Sequence, residues 1–378
     1  MTQKAIVVGA GPGGLTAAIA LVAAGFDPLV LECDARDRPT GSGLTLWPNA
    51  IAALETLELA RPVLEVGASI DRIAMYTSRG RRLFGMGRPI ERWFGRPATT
   101  VHRGELLDVL LGALDPSRVR FDTTCRGIVN HPDRVVVTLD DGDEIEGDLL
   151  IGADGIRSPV ATALHGETEL RYAGYTVWRG IANHQLDEPV GTTSMGRGMQ
   201  FGMFQMTDNR VYWFASANAA ENSADSSGGR KADVLSLFQD WHTPIRDVIE
   251  ATDDHAILRN DSYDRAPRPR WTVARATLLG DAAHACTPTL GQGACQAIED
   301  AVVLGRCLGR AADVVQGLRA YEQARHGRTT KITMQSRQIG RVGQWRNWIA
   351  CGFRNTMIRM MPEALNRRQL RWMFEFEV

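Results

Sequence analysis

Six residues near the N-terminus, Gly9-Ala10-Gly11-Pro12-Gly13-Gly14, restrict what this chain can fold into more than any other feature. They stand between a short apolar run, Ala5 to Val8, and a stretch of small helix-forming residues, Leu15 to Ala24, so the chain reads strand, tight turn, helix. Gly9 permits the turn, Gly11 lets the backbone approach a pyrophosphate, and Gly14 lets the helix pack closely on the strand, with Pro12 and Gly13 in the same phosphate-facing turn. The helix N-terminus offers free N–H groups and a positive dipole end to the phosphates. A second apolar run, Pro28 to Leu31, ends in Glu32. That acid stands about 20 residues after the glycines, where a carboxylate accepts from a ribose hydroxyl. A secretory signal would also put Lys4 before an apolar stretch, but the glycine spacing, the lack of a convincing cleavage region and the ribose acid favour a βαβ dinucleotide unit.

Two later segments share this glycine character: Gly152-Ala153-Asp154-Gly155 in the middle, and Gly280-Asp281-Ala282-Ala283-His284 followed by Pro288 and Gly291-Gln292-Gly293. Asp-Gly after an apolar strand is a common turn, but the longer run to Ile156-Arg157-Ser158 is more specific. In this order the three segments resemble the fingerprints of the class A flavoprotein monooxygenases with the p-hydroxybenzoate hydroxylase fold. That group includes salicylate hydroxylase, zeaxanthin epoxidase, urate hydroxylase and tetracycline-modifying enzymes. The resemblance runs over about residues 3 to 325 and adds the Arg103 segment and Tyr175-Thr176-Val177-Trp178-Arg179-Gly180. It implies an FAD cofactor, with Asp154 between the pyrophosphate and the path of NAD(P)H, and Asp281 accepting from the ribityl chain. Arg103 lies near the ribityl or pyrophosphate portion, and Gly43-Leu44 belongs to the same cofactor face. Pro288, Gly291 and Gly293 shape a loop into a helix from Ala294, whose N-terminus faces the flavin pyrimidine edge. Cys295 stands where family members often carry asparagine. Glu299 and Asp300 read as helix charges and loop anchors, and His284 as part of the flavin-loop motif.

Composition narrows the class further. The chain has 378 residues and a formal net charge of −1, which gives no electrostatic reason to propose nucleic acid as a partner. No run of 18 apolar residues occurs, so no integral membrane segment is expected. The cysteines, Cys33, Cys125, Cys286, Cys295, Cys307 and Cys351, show no C-x-x-C or zinc-type spacing, which points to free thiols, a cytoplasmic location and no metal. It also argues against the disulfide reductases. No second glycine fingerprint follows another strand, so NADH or NADPH is a transient co-substrate without a Rossmann domain of its own.

The expected architecture is α/β, an interrupted Rossmann-like FAD-binding domain with an inserted, mostly antiparallel substrate sheet and C-terminal helices. Residues 1–71, 98–166 and 263–340 supply the first, 72–97 and 167–262 the second, and 341–378 the C-terminal segment. Arg134 to Leu139, the Asp141-Gly142 turn and Glu144 to Ile151 read as a hairpin, and 167 to 262 as sheet interrupted by a mobile Ser223 to Gly229 loop. Trp93, Trp178 and Trp213 fall in that sheet region, where alternate positions face a cavity or pack a core. The C-terminal stretch reads as one or two amphipathic helices docked across the two domains, with peripheral membrane contact as the alternative.

The reaction implied by the resemblance is NAD(P)H-dependent insertion of one oxygen atom from O₂ into a small aromatic or polycyclic substrate, through a C4a-hydroperoxyflavin. Tyr212, on the run Arg210-Val211-Tyr212-Trp213-Phe214, is the first candidate for contacting substrate or relaying its proton. Gln200 stands about where urate hydroxylases carry a substrate-gripping arginine, which argues against urate. Alternatives are an FAD-dependent oxidoreductase that inserts no oxygen, an epoxidase of a lipophilic alkene, and a flavin-binding protein acting through a partner. The flavin halogenases lose ground because their Trp-x-Trp-x-Ile-Pro element is absent. The oligomeric state is left open.

Overall fold

A computed structural model describes residues 2–36 and 41–376. At its centre is a five-stranded parallel sheet in the order Ala276–Leu278, Leu149–Gly152, Lys4–Val8, Asp27–Leu31, Val119–Arg120. Its three neighbouring strands Ala276–Leu278, Leu149–Gly152 and Lys4–Val8 are buried at every position but Lys4, as strands covered on both faces must be. Helices Pro12–Ala23 and Gly293–Arg310 pack against each other beside this sheet. Their contact uses small residues throughout. A side chain at Gly13 would strike Leu279 and Ala297, one at Gly305 would strike Ala20, and Gly309 sits against Ala24.

The register of the parallel sheet decides where the chemistry gathers. Leu278 pairs with Gly152, Gly152 with Val8 and Val8 with Leu31, so all four strand ends lie in one row. The residues that follow this row are Gly280-Asp281, Ala153-Asp154, Gly9 to Gly14 and Glu32. Three glycine segments separated by more than a hundred residues each thus meet along the carboxyl edge of one sheet, the place where open parallel sheets bind ligands.

A seven-stranded sheet covers this edge, in the order Leu258–Asp264, Arg171–Asn183, Arg210–Asn218, Met199–Gln205, Val190–Met195, Arg72–Thr77, Arg82–Gly85. All pairings are antiparallel except that of Val190–Met195 with Arg72–Thr77. A small antiparallel sheet of Gly43–Leu46, Thr99–His102 and Ala68–Ser69 lies between the two larger ones, its Gly43 against the ring of Tyr212.

Several expectations need correction. Glu144 to Ile151 is not one hairpin arm: Glu144–Gly147 pairs with Val135–Leu139, whereas Leu149–Gly152 enters the parallel sheet beside Lys4–Val8. The region 167–262 is not all sheet. Helices Gly229–Leu237 and Ile245–Glu250 bury Val234, Ile245, Val248 and Ile249 on the outer face of the seven-stranded sheet. Trp178 and Trp213 point into that outer core and not toward a cavity. Trp213 is fully buried, stacks on Phe201 and donates its indole N–H to Thr252, and Trp178 lies beneath Arg259. Trp93 is on the short helix Ile90–Phe94, edge-on to Phe94. The Ser223 to Gly229 loop is held by Asp225, which pairs with Arg230 and Arg259.

The C-terminal segment divides. Helix Glu363–Phe374 docks: Phe374 stacks on Trp47 at 5.0 Å, Lys331 lies over the Trp372 ring at 4.0 Å, and Arg328 donates to the Met373 carbonyl. Helix Trp348–Met360 buries only Cys351 and Arg354 and leaves Trp348, Ile349, Phe353, Met357 and Met360 exposed, so of the one or two helices expected to dock it is Glu363–Phe374 that buries its apolar side. The cysteines are free, and no helix of the described residues is long and apolar enough to cross a membrane.

Candidate cofactor and substrate site

The N-terminal turn is built for close approach. Gly9 adopts φ +104°, and a side chain there would collide with the Ala153 carbonyl, because the middle segment passes directly beside it. Gly14 is needed for another reason, since a Cβ would stand 1.9 Å from the Gly9 oxygen. Gly11 is different again: nothing of the chain lies within 4 Å of where its side chain would be. It caps helix Pro12–Ala23, whose N-terminus receives no side-chain hydrogen bond. Helix Gly293–Arg310 likewise starts without a side-chain cap. Packing of Gly13 on Ala297 brings these two helix starts together, so two sets of unclaimed N–H groups and two positive dipole ends face one recess.

Asp281 lies in that recess. Water reaches its side chain, yet protein atoms crowd it closely enough that burial raises its pKa, against the opposing pull of His284, Arg103 and Arg179. Both hold together for a side chain set in a concave recess open to solvent. Gly293 is its neighbour, the position of a Cβ being 3.8 Å from Asp281 Oδ1. Pro288 and Gly291 stand exposed on the approaching loop, Gly291 at φ +61° beside the Trp47 indole. Glu32 closes the far end, with Oε2 accepting from the Ala10 N–H at 2.6 Å and Oε1 from the Asp34 N–H at 3.0 Å. Arg103 begins helix Arg103–Gly112, and its N–H donates to the Ser42 carbonyl one residue before the Gly43-Leu44 strand.

A buried ion network holds the late segment in position. Asp300 Oδ2 accepts from the Gly280 N–H at 3.0 Å and from His284 Nε2 at 2.6 Å, and Oδ1 from Arg325 Nε at 2.7 Å. Burial works to raise the Asp300 pKa, but His284 and Arg325 hold it down at about 2. Glu299 accepts from Arg325, from Arg328 at 2.8 Å and from Asn49 at 2.6 Å. These carboxylates are anchors, and His284 is committed to Asp300.

Two candidates from the sequence turn away from the recess. The Asp154 carboxylate is engaged in its own loop, accepting from Ser158 Oγ at 2.5 Å and from the Val160 N–H at 3.0 Å, which makes it a cap for helix Pro159–His165. The Cys295 thiol points inward, toward the Trp47 N–H and the Thr45 carbonyl, and burial pushes its pKa up to about 12. It keeps only its N–H, with that of Ala294, at the helix start.

Above the recess lies the inner face of the seven-stranded sheet. Tyr212, Phe204 and Phe214 form a shelf of nearly parallel rings, each neighbouring pair 6.4 Å apart at 26°. The rings lie flat because glycines are beneath them: Gly43 under Tyr212, Gly191 under Phe204 and Gly202 under Phe214. The Tyr212 hydroxyl makes no hydrogen bond to a described residue, and burial raises its pKa, with Arg179 pulling the other way. Arg179 therefore acts electrostatically on both Asp281 and Tyr212, linking cofactor recess and shelf. Gln200 does not join Tyr212. It pairs with Ser216, four residues along the strand, and its amide lies over Gly343 at the end of helix Val314–Gly343.

A family model described as an FAD binding domain matches residues 2–336. The chain is 39% identical over 376 residues to the aurachin C monooxygenase/isomerase of Stigmatella aurantiaca, covering 97% of each protein. It is 34% identical over 372 residues to the 2-heptyl-3-hydroxy-4(1H)-quinolone synthase of Pseudomonas aeruginosa strain UCBPP-PA14, covering 96% of this chain and 95% of that protein. Among solved structures, Klebsiella pneumoniae HpxO complexed with FAD and uric acid superposes with a TM-score of 0.90 at 29% identity, covering 98% of this chain and 97% of that one.

Proposed function

This chain belongs to the family of FAD-binding-domain monooxygenases, and on that footing we propose that the recess around Asp281 holds the cofactor and the aromatic shelf above it the substrate. The protein is an FAD-dependent monooxygenase with NAD(P)H as electron donor. When bound, the cofactor supplies the redox chemistry, taking electrons from NAD(P)H and delivering one oxygen atom of O₂ to the substrate. The residues fit the group: Gly11 leaves the room that a pyrophosphate needs, and two uncapped helix starts favour its charge.

The single observation that carries this assignment is the state of Asp281, water-accessible yet enclosed, with Gly293 beside it and Arg103 and Arg179 within electrostatic reach. A carboxylate so held accepts hydrogen bonds from ribityl hydroxyls. Glu32 takes the ribose, Arg103 and the Gly43-Leu44 strand flank the cofactor, and the N–H groups from Gly293 to Cys295 stabilise negative charge at the pyrimidine edge. Pro288 and Gly291 shape the loop above it. On the substrate side, Tyr212 offers a neutral hydroxyl donor at the edge of the shelf, and Phe214 and Phe204 a flat apolar surface for a planar ring. Gln200, beside Gly343 and four residues along the strand from the position facing Tyr212, stands at the far end of the cleft.

The likeness to the quinolone synthase supports a finer reading: the substrate is a bicyclic aromatic of the 2-alkyl-4(1H)-quinolone class. The test is to follow NADH and NADPH oxidation in air by the flavin-loaded protein against phenols, polycyclic aromatics and alkylquinolones, with mass spectrometry of the products. A quinolone that stimulates oxidation and gains one oxygen is the expected result. Stimulated oxidation with no oxygen in any product would overturn the monooxygenase assignment, and a phenol as the sole oxygenated substrate would overturn the quinolone reading alone.

A further inference from the structure

Helix Trp348–Met360 carries its apolar residues on the wrong side for a packed helix. Ile349, Phe353, Met357 and Met360 recur at i, i+4, i+8 and i+11, which puts them on one stripe, and they are 61, 62, 50 and 72% exposed. Trp348 flanks the stripe at 69% exposure. The opposite side is pinned: Arg354, buried, donates to the carbonyls of Gly343 and Gly196, and Asn347 caps the helix start with hydrogen bonds from the Ile349 and Ala350 N–H groups. The stripe is thus a rigidly presented surface, and five large apolar side chains on one short helix are far more than the scattered exposed residues of an ordinary surface.

Charge identifies what covers it. Residues 341–378 contain seven arginines and three glutamates and no lysine or aspartate, in a chain whose formal net charge is −1. Glu363 is engaged with the Gly87 N–H and Glu375 with Arg371, while Arg341, Arg346, Arg359, Arg367 and Arg368 stand exposed. At the root of the helix, Arg341, Trp345 and Arg346 help line an open cavity of about 730 Å³. An apolar stripe on a helix with exposed arginines before it, Arg341 and Arg346, and near its end, Arg359, suits an anionic surface with an apolar interior. We propose that this helix docks the enzyme on anionic phospholipid membranes, with the stripe in the acyl boundary and the arginines among the headgroup phosphates. Because the helix contacts strand Arg82–Gly85, docking sets the edge of the seven-stranded sheet at the bilayer, where an apolar substrate concentrates.

The experiment is sedimentation of the full-length, flavin-loaded protein with vesicles. Binding to phosphatidylcholine vesicles containing roughly 30% phosphatidylglycerol should exceed binding to pure phosphatidylcholine by at least about tenfold and be abolished by about 0.5 M salt. Phe353→Glu with Met357→Glu should cut it at least about tenfold, with bound flavin and thermal melting unchanged, because both side chains are at least half exposed. Arg341→Gln with Arg346→Gln should weaken binding to anionic vesicles only. Failure of the wild type to sediment with anionic vesicles overturns the proposal, as does equal binding by the double glutamate variant. A dimer in solution that this variant splits, without vesicle binding, reassigns the stripe to self-association.

Discussion

Within the N-terminal turn the same residue type serves two ends, and substitution separates them. Gly11 faces open space and Gly14 faces the Gly9 carbonyl, so Gly11→Val should leave the melting of the flavin-free protein unchanged but abolish flavin loading, whereas Gly14→Ala should cost about 1–3 kcal/mol of stability. Absorbance at the flavin bands and thermal denaturation check both. Asp281→Ala should likewise give folded protein with little bound flavin, since it removes an acceptor that supports nothing else in the fold; full occupancy would refute the role. Tyr212→Phe should keep the flavin and slow turnover. Because burial moves the Tyr212 pKa upward, the hydroxyl stays protonated through about pH 9. A pH profile of kcat with no rising limb between about pH 7 and 9 is therefore expected; a limb there that disappears in Tyr212→Phe would show that the phenolate acts. The glycines of the first segment were legible in the sequence because a Cβ is excluded by local backbone geometry. Arg179 was not, because its effect depends on Tyr212 of the paired strand and on Asp281, about a hundred residues away in the sequence.

Among the elements, helix Gly293–Arg310 does the most joining. Its first turn faces the recess, Ala297 and Gly305 pack on helix Pro12–Ala23, and Asp300 fixes the Gly280 N–H. The folded-state pKa of Asp300 lies below its ordinary 3.8, so the stability it contributes is present above pH 4 and lost as pH falls through about 2. Asp300→Asn should leave Arg325 and His284 underpaired, lower stability at neutral pH, and flatten the loss of stability between about pH 4 and 2 seen in the wild type. Acid titration of the melting temperature tests this; parallel curves for variant and wild type would sink it. The late glycine segment pointed to this helix in the sequence. Nothing comparable marked Gly229–Leu237 and Ile245–Glu250, whose few buried residues make sense only against the outer face of the sheet that contains Trp213.

The molecule as a whole joins a parallel sheet, whose carboxyl edge gathers the three glycine segments, to a mixed sheet that carries an aromatic shelf, and the proposed cofactor site is the hollow between them. Adding FAD to flavin-free protein should therefore stabilise all of it, by about 2.7 kcal/mol at one hundred times the dissociation constant. A rise in melting temperature for the wild type, and none for Gly11→Val, is the expected pair of results. The sequence by itself determined the cofactor class and the βαβ start, since glycine spacing, the acid after the second strand and the order of the three segments are fixed by local geometry. Only the tertiary structure decided that Cys295 turns inward, that Trp178 and Trp213 fill the outer core, and that the stripe of helix Trp348–Met360 stays uncovered. Each of these depends on which distant residues are neighbours, and burial, pairing and exposure are properties of neighbours that no local pattern encodes.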